Sequence, residues 1–191
     1  LGNIFGMVKF YTAARASGVK PIVGCDVWIT NPADRDKPPR LLLLCQNHQG
    51  YLRLCELLTQ AYRGNQHRGR AEIDRTWFER GGSDGLIALS GAHFGDVGQA
   101  LLMDNPEGAK QAAAEWARLF PQRFYVELQR PGGEGEAASQ IEPYVQRALW
   151  LAAELQLPVV ATHPVQFMQP DDFKAHEARV CIAEGTVLGD R

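Results

Sequence analysis

The sequence has no Cys-x-x-Cys pair, no Gly-x-Ser-x-Gly, no His-Glu-x-x-His and no P-loop. Zinc ribbons, thioredoxin-like redox couples, serine hydrolases, zincins and P-loop nucleotidases depend on those spacings, so their standard readings have nothing to rest on. Long apolar runs are missing too. Leu41–Cys45 and Ala148–Ala153 are strand-sized or core-helix-sized, far short of the roughly 20 residues that cross a bilayer. No charged stretch leads into an apolar one near Leu1, so the expectation is no signal peptide in this sequence. Positive charge is not in excess: 20 Lys and Arg stand against 22 Asp and Glu, for a net charge of -2. The basic footprint of a nucleic-acid-binding surface is therefore absent. Cysteine is scarce, with Cys25, Cys45, Cys55 and Cys181 only. Three of them, Cys25, Cys45 and Cys181, sit among apolar neighbours, where a free thiol packs as a small hydrophobe in a reducing compartment.

The 191 residues are 45% hydrophobic and 22% charged, the balance of one soluble domain able to bury a core. Short apolar runs alternate with helical spacing. The pattern predicts a helix over Asn3 to Ser17, capped by Asn3 and ended by Gly18, then a strand over Pro21 to Thr30. A charged, turn-rich loop over Asn31 to Pro39 precedes a strand from Arg40 to Gln46, apolar enough to be buried on both faces as parallel strands are. Further elements are a helix from Asn47 to Tyr62, a mobile basic loop from Arg63 to Arg70, a short helix from Asp74 to Glu79 and a strand over Gly85 to Ser90. Asn105-Pro106-Glu107 starts a helix that stops at Pro121, because the cap, the proline and the acid each suit a first turn. After it come a strand over Phe124 to Gln129, a turn over Pro131 to Gly135, and a helix from about Glu142 to Leu155 with Pro143 in its first turn. A strand over Leu157 to Thr162 and a helix over Asp171 to Glu184, closed by Gly185, complete the pattern. Trp116 and Trp150 are expected to face the core, and Trp77 to be half-buried. This alternation argues a parallel α/β sheet or barrel.

In such folds ligands collect at the C-terminal ends of strands. Asp26, His93 and His163 fall near those ends. One carboxylate and two imidazoles are the residue types that hold zinc, and they are the metal candidates. The other reading of the same residues is a mouth closed by hydrogen bonds, with Arg40 paired to Asp26.

Several segments carry a resemblance. They are Leu1-Gly2-Asn3 with Gly6 and Val8-Lys9-Phe10-Tyr11; Gly18-Val19-Lys20-Pro21-Ile22-Val23-Gly24; Leu41 to Leu44 with Asn47, Gly50-Tyr51 and Leu54; Asp84 to Gly91; Leu157 to Thr162; and Ala175-His176-Glu177. Their order resembles the PHP (polymerase and histidinol phosphatase) domain of the alpha subunit of bacterial DNA polymerase III, across essentially the whole chain. The resemblance implies a distorted seven-stranded (β/α) barrel, TIM-like and N-terminally truncated here, so that residues 1–191 are a partial PHP domain with polymerase domains expected beyond it. It also implies that metal-binding members hold ligands where this chain has Leu1, Arg40, Ala92, Pro164 and Gln166, while Asp26 replaces a glutamate. Leucine, alanine and proline cannot ligate, and arginine brings a fixed positive charge. The expectation is therefore no catalytic residue, no metal and no cofactor in this segment, with Mg needed only for the polymerase reaction of the parent protein. The implied partners are the proofreading exonuclease subunit and the rest of the alpha subunit. DNA would be bound by the parent rather than clearly by this segment, with no membrane and a cytoplasmic location. The competing functions are an active metal-dependent phosphoesterase or 3′–5′ exonuclease, and a stand-alone α/β enzyme acting on a small molecule.

Overall fold

A computed structural model describes residues 1–130 and 136–188. Helix α1 (Met7–Ala16) leads into β1 (Gly24–Ile29) and β2 (Arg40–Cys45), then α2 (His48–Gly64), β3 (Gln66–His67) and β4 (Arg70–Ile73). Next come β5 (Leu86–Leu89), α3 (Asp96–Leu102), α4 (Pro106–Leu119), β6 (Phe124–Gln129), α5 (Glu136–Glu154), β7 (Val159–Thr162) and α6 (Phe173–Glu184). One seven-stranded sheet runs in the order β3-β4-β1-β2-β5-β6-β7. Five strands point one way, and β2 and β3 run against them. The sheet is mixed and its two edges, β3 and β7, do not meet, so an all-parallel arrangement is not what forms.

Local chemistry explains most of the boundaries. Asn47 accepts from the Gly50 amide at 2.9 Å to cap α2, and Asn105 accepts from the Gly108 amide at 3.0 Å to cap α4, with Pro106 at the first position. Asp74 caps a single 3-10 turn over Arg75–Phe78. Gly185, at φ 71°, closes α6.

Other expectations need correction. Helix α1 begins at Met7, and Asn3 is not its cap: its Oδ1 accepts from the Phe5 amide outside the helix. The basic stretch expected to be mobile instead forms the β3–β4 hairpin. Arg68 and Gly69 both adopt positive φ, at 49° and 79°, as a two-residue hairpin turn requires, and Asp36 holds the tip through His67 at 2.7 Å and Arg68 at 3.1 Å. Helix α3 was not anticipated. Helix α5 begins at Glu136, so Pro143 lies inside it rather than in its first turn. The turn expected over Pro131 to Gly135 lies outside the described residues.

The core lies between one face of the sheet and helices α2 to α5. Cys25, Val27 and Ile29 of β1 and Leu41 and Leu43 of β2 point into it, against Leu54, Leu57, Phe78, Trp116 and Phe120. Trp116 is buried as expected and Trp77 is partly buried. Trp150 is not buried: it is 76% exposed. The buried residues of α5 are Tyr144, Val145, Ala148, Leu151 and Ala152, and a residue two places past Ala148 is turned about 200° from it on the helix. Strand β2 is buried on one face only. Its alternate residues Arg40, Leu42 and Leu44 are half-buried on the opposite side of the sheet.

Candidate functional site

That opposite face forms the floor of a cavity of about 980 Å³. Register places its walls. Asp26 of β1 lies across from Leu42 of β2, Leu42 from Leu89 of β5, and Leu89 beside Tyr125 of β6. Because side chains alternate along a strand, Glu127 and Gln129 of β6 and Thr162 of β7 share this face. The rim comes from segments beyond the strand ends. Gly91, at φ 76°, turns the chain into a 3-10 turn that presents His93 and Phe94, and His163 to Gln166 follow β7.

Of the residues singled out from sequence, Leu1, Asp26, Arg40, His93, His163, Pro164 and Gln166 all line this one cavity. Ala92 does not: it is fully buried beneath the rim. Glu127, Gln129, Thr162 and Arg179 also line the cavity and were missed. Glu127 was legible in one respect, as a lone carboxylate inside the apolar run Phe124 to Leu128.

The electrostatics are those of a sheltered polar pocket. Glu127 is 2% exposed. Its carboxylate accepts from Thr162 Oγ1 at 2.5 Å and from Gln129 Nε2 at 3.1 Å. Its backbone is held by Ser90 Oγ, which accepts its amide at 2.9 Å, and by the Tyr144 hydroxyl, which donates to its carbonyl at 2.9 Å. Asp26 keeps access to solvent at the cavity mouth, and partial desolvation by the walls, then the negative charge of Glu127, pushes its pKa up, with Arg40 opposing. Burial and then Arg40 push His93 down, so its imidazole is neutral at pH 7. The Arg40 guanidinium carbon lies 4.8 Å from the Trp28 ring centroid and 4.2 Å from that of Phe94. The expected pairing of Arg40 with Asp26 does not form: among the described residues Arg40 Nε is buried without a partner, and the guanidinium engages aromatic faces instead.

The PHP domain family model matches residues 1–131. The chain belongs to the PHP domain family. The chain is 53% identical over 192 residues to a Neisseria meningitidis serogroup A protein named DNA polymerase III subunit alpha, covering 100% of this chain and 16% of that protein. Proteins of the same name from Pseudomonas aeruginosa and Haemophilus influenzae are each 40% identical over 188 residues, covering 98% of this chain and 16% of theirs. This PHP segment thus spans 16% of the length of each of these relatives. The metal cluster that the family resemblance implies does not fit the donors present. Among the described residues no group of three or more His, Cys, Asp or Glu is placed to hold an ion. Leu1 and Pro164 line the cavity with side chains that offer no ligand atom, and Arg40 puts a cation there.

Proposed function

We propose that this chain is the PHP module of a replicative DNA polymerase alpha subunit, and that it serves as a catalytically silent structural element and docking site for the proofreading exonuclease subunit. The observation that carries this reading is the mouth itself: leucine, arginine and proline line the cavity at positions where the family resemblance implies metal ligands. The names of the relatives supply the polymerase context. In this reading residues 1–191 are a partial domain. The remaining chain completes a distorted, TIM-like (β/α) barrel and carries the Mg-dependent polymerase site and the DNA contacts in the cytoplasm. No helix among the described residues is long and apolar enough to cross a membrane. Support for docking comes from an apolar cleft of about 550 Å³ between α1 and the start of α2, lined by Met7, Val8, Tyr11, Ile22 and Tyr51.

The test uses the full-length protein. Replacing Asp26, His93 and His163 together by alanine should leave nucleotide incorporation nearly unchanged, and elemental analysis should find no metal that these substitutions remove. Val8→Asp with Ile22→Asp should weaken capture of the exonuclease subunit while incorporation persists. A metal lost on the triple substitution, together with lost hydrolysis of a phosphoester, would instead establish the phosphoesterase or 3′–5′ exonuclease reading.

A further inference from the structure

We infer that the cavity on the open face of the sheet is a carboxylate receptor built on Arg40. Arg40 is the first residue of β2, and its guanidinium lies against the rings of Phe94 and Trp28 at 4.2 Å and 4.8 Å. Aromatic contact on its faces fixes the plane of the group and leaves its edge, where the N–H donors are, to meet an acceptor. Arg40 Nε is buried with no hydrogen-bond partner. So are His93 Nδ1 and Gln129 Oε1. Only four side-chain atoms among the described residues are in that condition, and three belong to residues of this one cavity. Buried polar atoms are nearly always paired in folded proteins. Of these, Arg40 and, in its Nδ1–H tautomer, His93 can donate to an occupant of the cavity, while Gln129 Oε1 only accepts and gives no hold on an anion.

The charges of the wall select the class of that occupant. Arg40 and Arg179 stand against Asp26 and Glu127, and His93 is neutral because burial and Arg40 both disfavour its protonation. A phosphate dianion would add two negative charges to a pocket that already holds two carboxylates. A carboxylate adds one, and its two coplanar oxygens match the guanidinium fork. The occupant is therefore a carboxylate, supplied either by a free organic acid or by an acidic side chain of a polypeptide.

Saturation-transfer NMR with acetate as the probe, on the full-length protein, tests this. Acetate should give a saturable signal that Arg40→Gln weakens by about tenfold or more, the loss expected for a charge-assisted hydrogen bond. Asp26→Asn should strengthen binding by about threefold or more, because it removes a neighbouring negative charge. Arg118→Gln, whose arginine pairs with Glu79 at 2.7 Å away from the cavity, should change nothing. Arg40→Lys keeps the charge without the fork and should bind less tightly than wild type, with an unchanged melting temperature certifying the fold. Competition by a blocked peptide holding one glutamate assigns the source to a polypeptide, and its failure to compete assigns it to a free acid. The inference is overturned if Arg40→Gln leaves the acetate signal intact, if inorganic phosphate displaces acetate at lower concentration than acetate itself needs, or if Asp26→Asn weakens binding, since that would mean Asp26 and Arg40 act as a pair.

Discussion

Asp26 shows how a single carboxylate acquires a stability cost from its surroundings. Partial desolvation at the cavity mouth and then Glu127 hold its pKa above the ordinary 3.8 in the folded protein, so the folded state binds a proton more readily than the unfolded chain. Stability therefore falls as pH rises from the ordinary value through the raised one, and the full penalty applies above both. Asp26→Asn should raise the melting temperature at pH 7, and the gain should disappear below the ordinary carboxylate value. Thermal melts of the two proteins across that pH range check the sign. Glu72 is a carboxylate whose neighbours pair it. It is fully buried but well paired, with Arg35 at 2.9 Å and Arg70 at 3.4 Å, and Arg35 also donates to Asn65 at 3.0 Å. Arg35→Ala should cost about 2–3 kcal/mol, the range for hydrogen bonds to a charged group. It would leave the buried carboxylate to Arg70 alone, while the Arg70 bond to the Arg35 carbonyl at 2.6 Å still ties the Asn31 to Pro39 loop to β4. Urea melts of wild type and variant measure the loss.

Elements meet closely where glycine allows it. A Cβ on Gly50 in the first turn of α2 would lie 1.8 Å from the Gly85 carbonyl oxygen. A Cβ on Gly85 would in turn lie 2.5 Å from the Gly50 nitrogen, and Gly85 holds φ +73°, a conformation that side chains resist. The start of α2 thus packs backbone to backbone on the turn before β5. Gly50→Ala should destabilise by about 1–3 kcal/mol through overpacking, whereas Gly64→Ala, which meets nothing within 4 Å, should stay within about 0.5 kcal/mol. Denaturant midpoints of the two variants provide the comparison. Helix α1 behaves differently: none of its residues is buried, so its order rests on its own turns and on the segments around it rather than on a core face.

Across the whole molecule, exposed apolar side chains are grouped most densely around two of the helices. Phe5, Val8, Phe10 and Ile22 surround α1, and Val165, Met168, Phe173, Ile182 and Leu188 surround α6. Patches of this kind mark surfaces meant for contact, and β7 adds an open strand edge, which invites pairing. The 191-residue chain alone should associate as its concentration rises. Sedimentation velocity over a range of concentrations reads this directly. Phe5→Ser with Phe10→Ser should reduce the association.

Motifs set by neighbours in the chain were legible from the residues alone. The helix starts at Asn105 and Asp74, the stop at Gly185 and the strand over Phe124 to Gln129 follow from local hydrogen bonding and from side-chain alternation. That leucine, alanine and proline side chains offer no ligand atom was legible too, being a property of the residue itself, while the reading of Leu1, Ala92 and Pro164 as replaced ligands rests on the family resemblance. Three things depended on folding. Strand β2 became one-sided because the opposite face of the sheet is left open as the cavity floor, which packing decides and composition does not. Trp150 turned outward because the helix phase follows which face the sheet accepts. Arg40 stacked on Trp28 and Phe94 rather than pairing with Asp26, because contacts between residues 12 and 54 positions apart arise only when the strands and the rim come together in three dimensions.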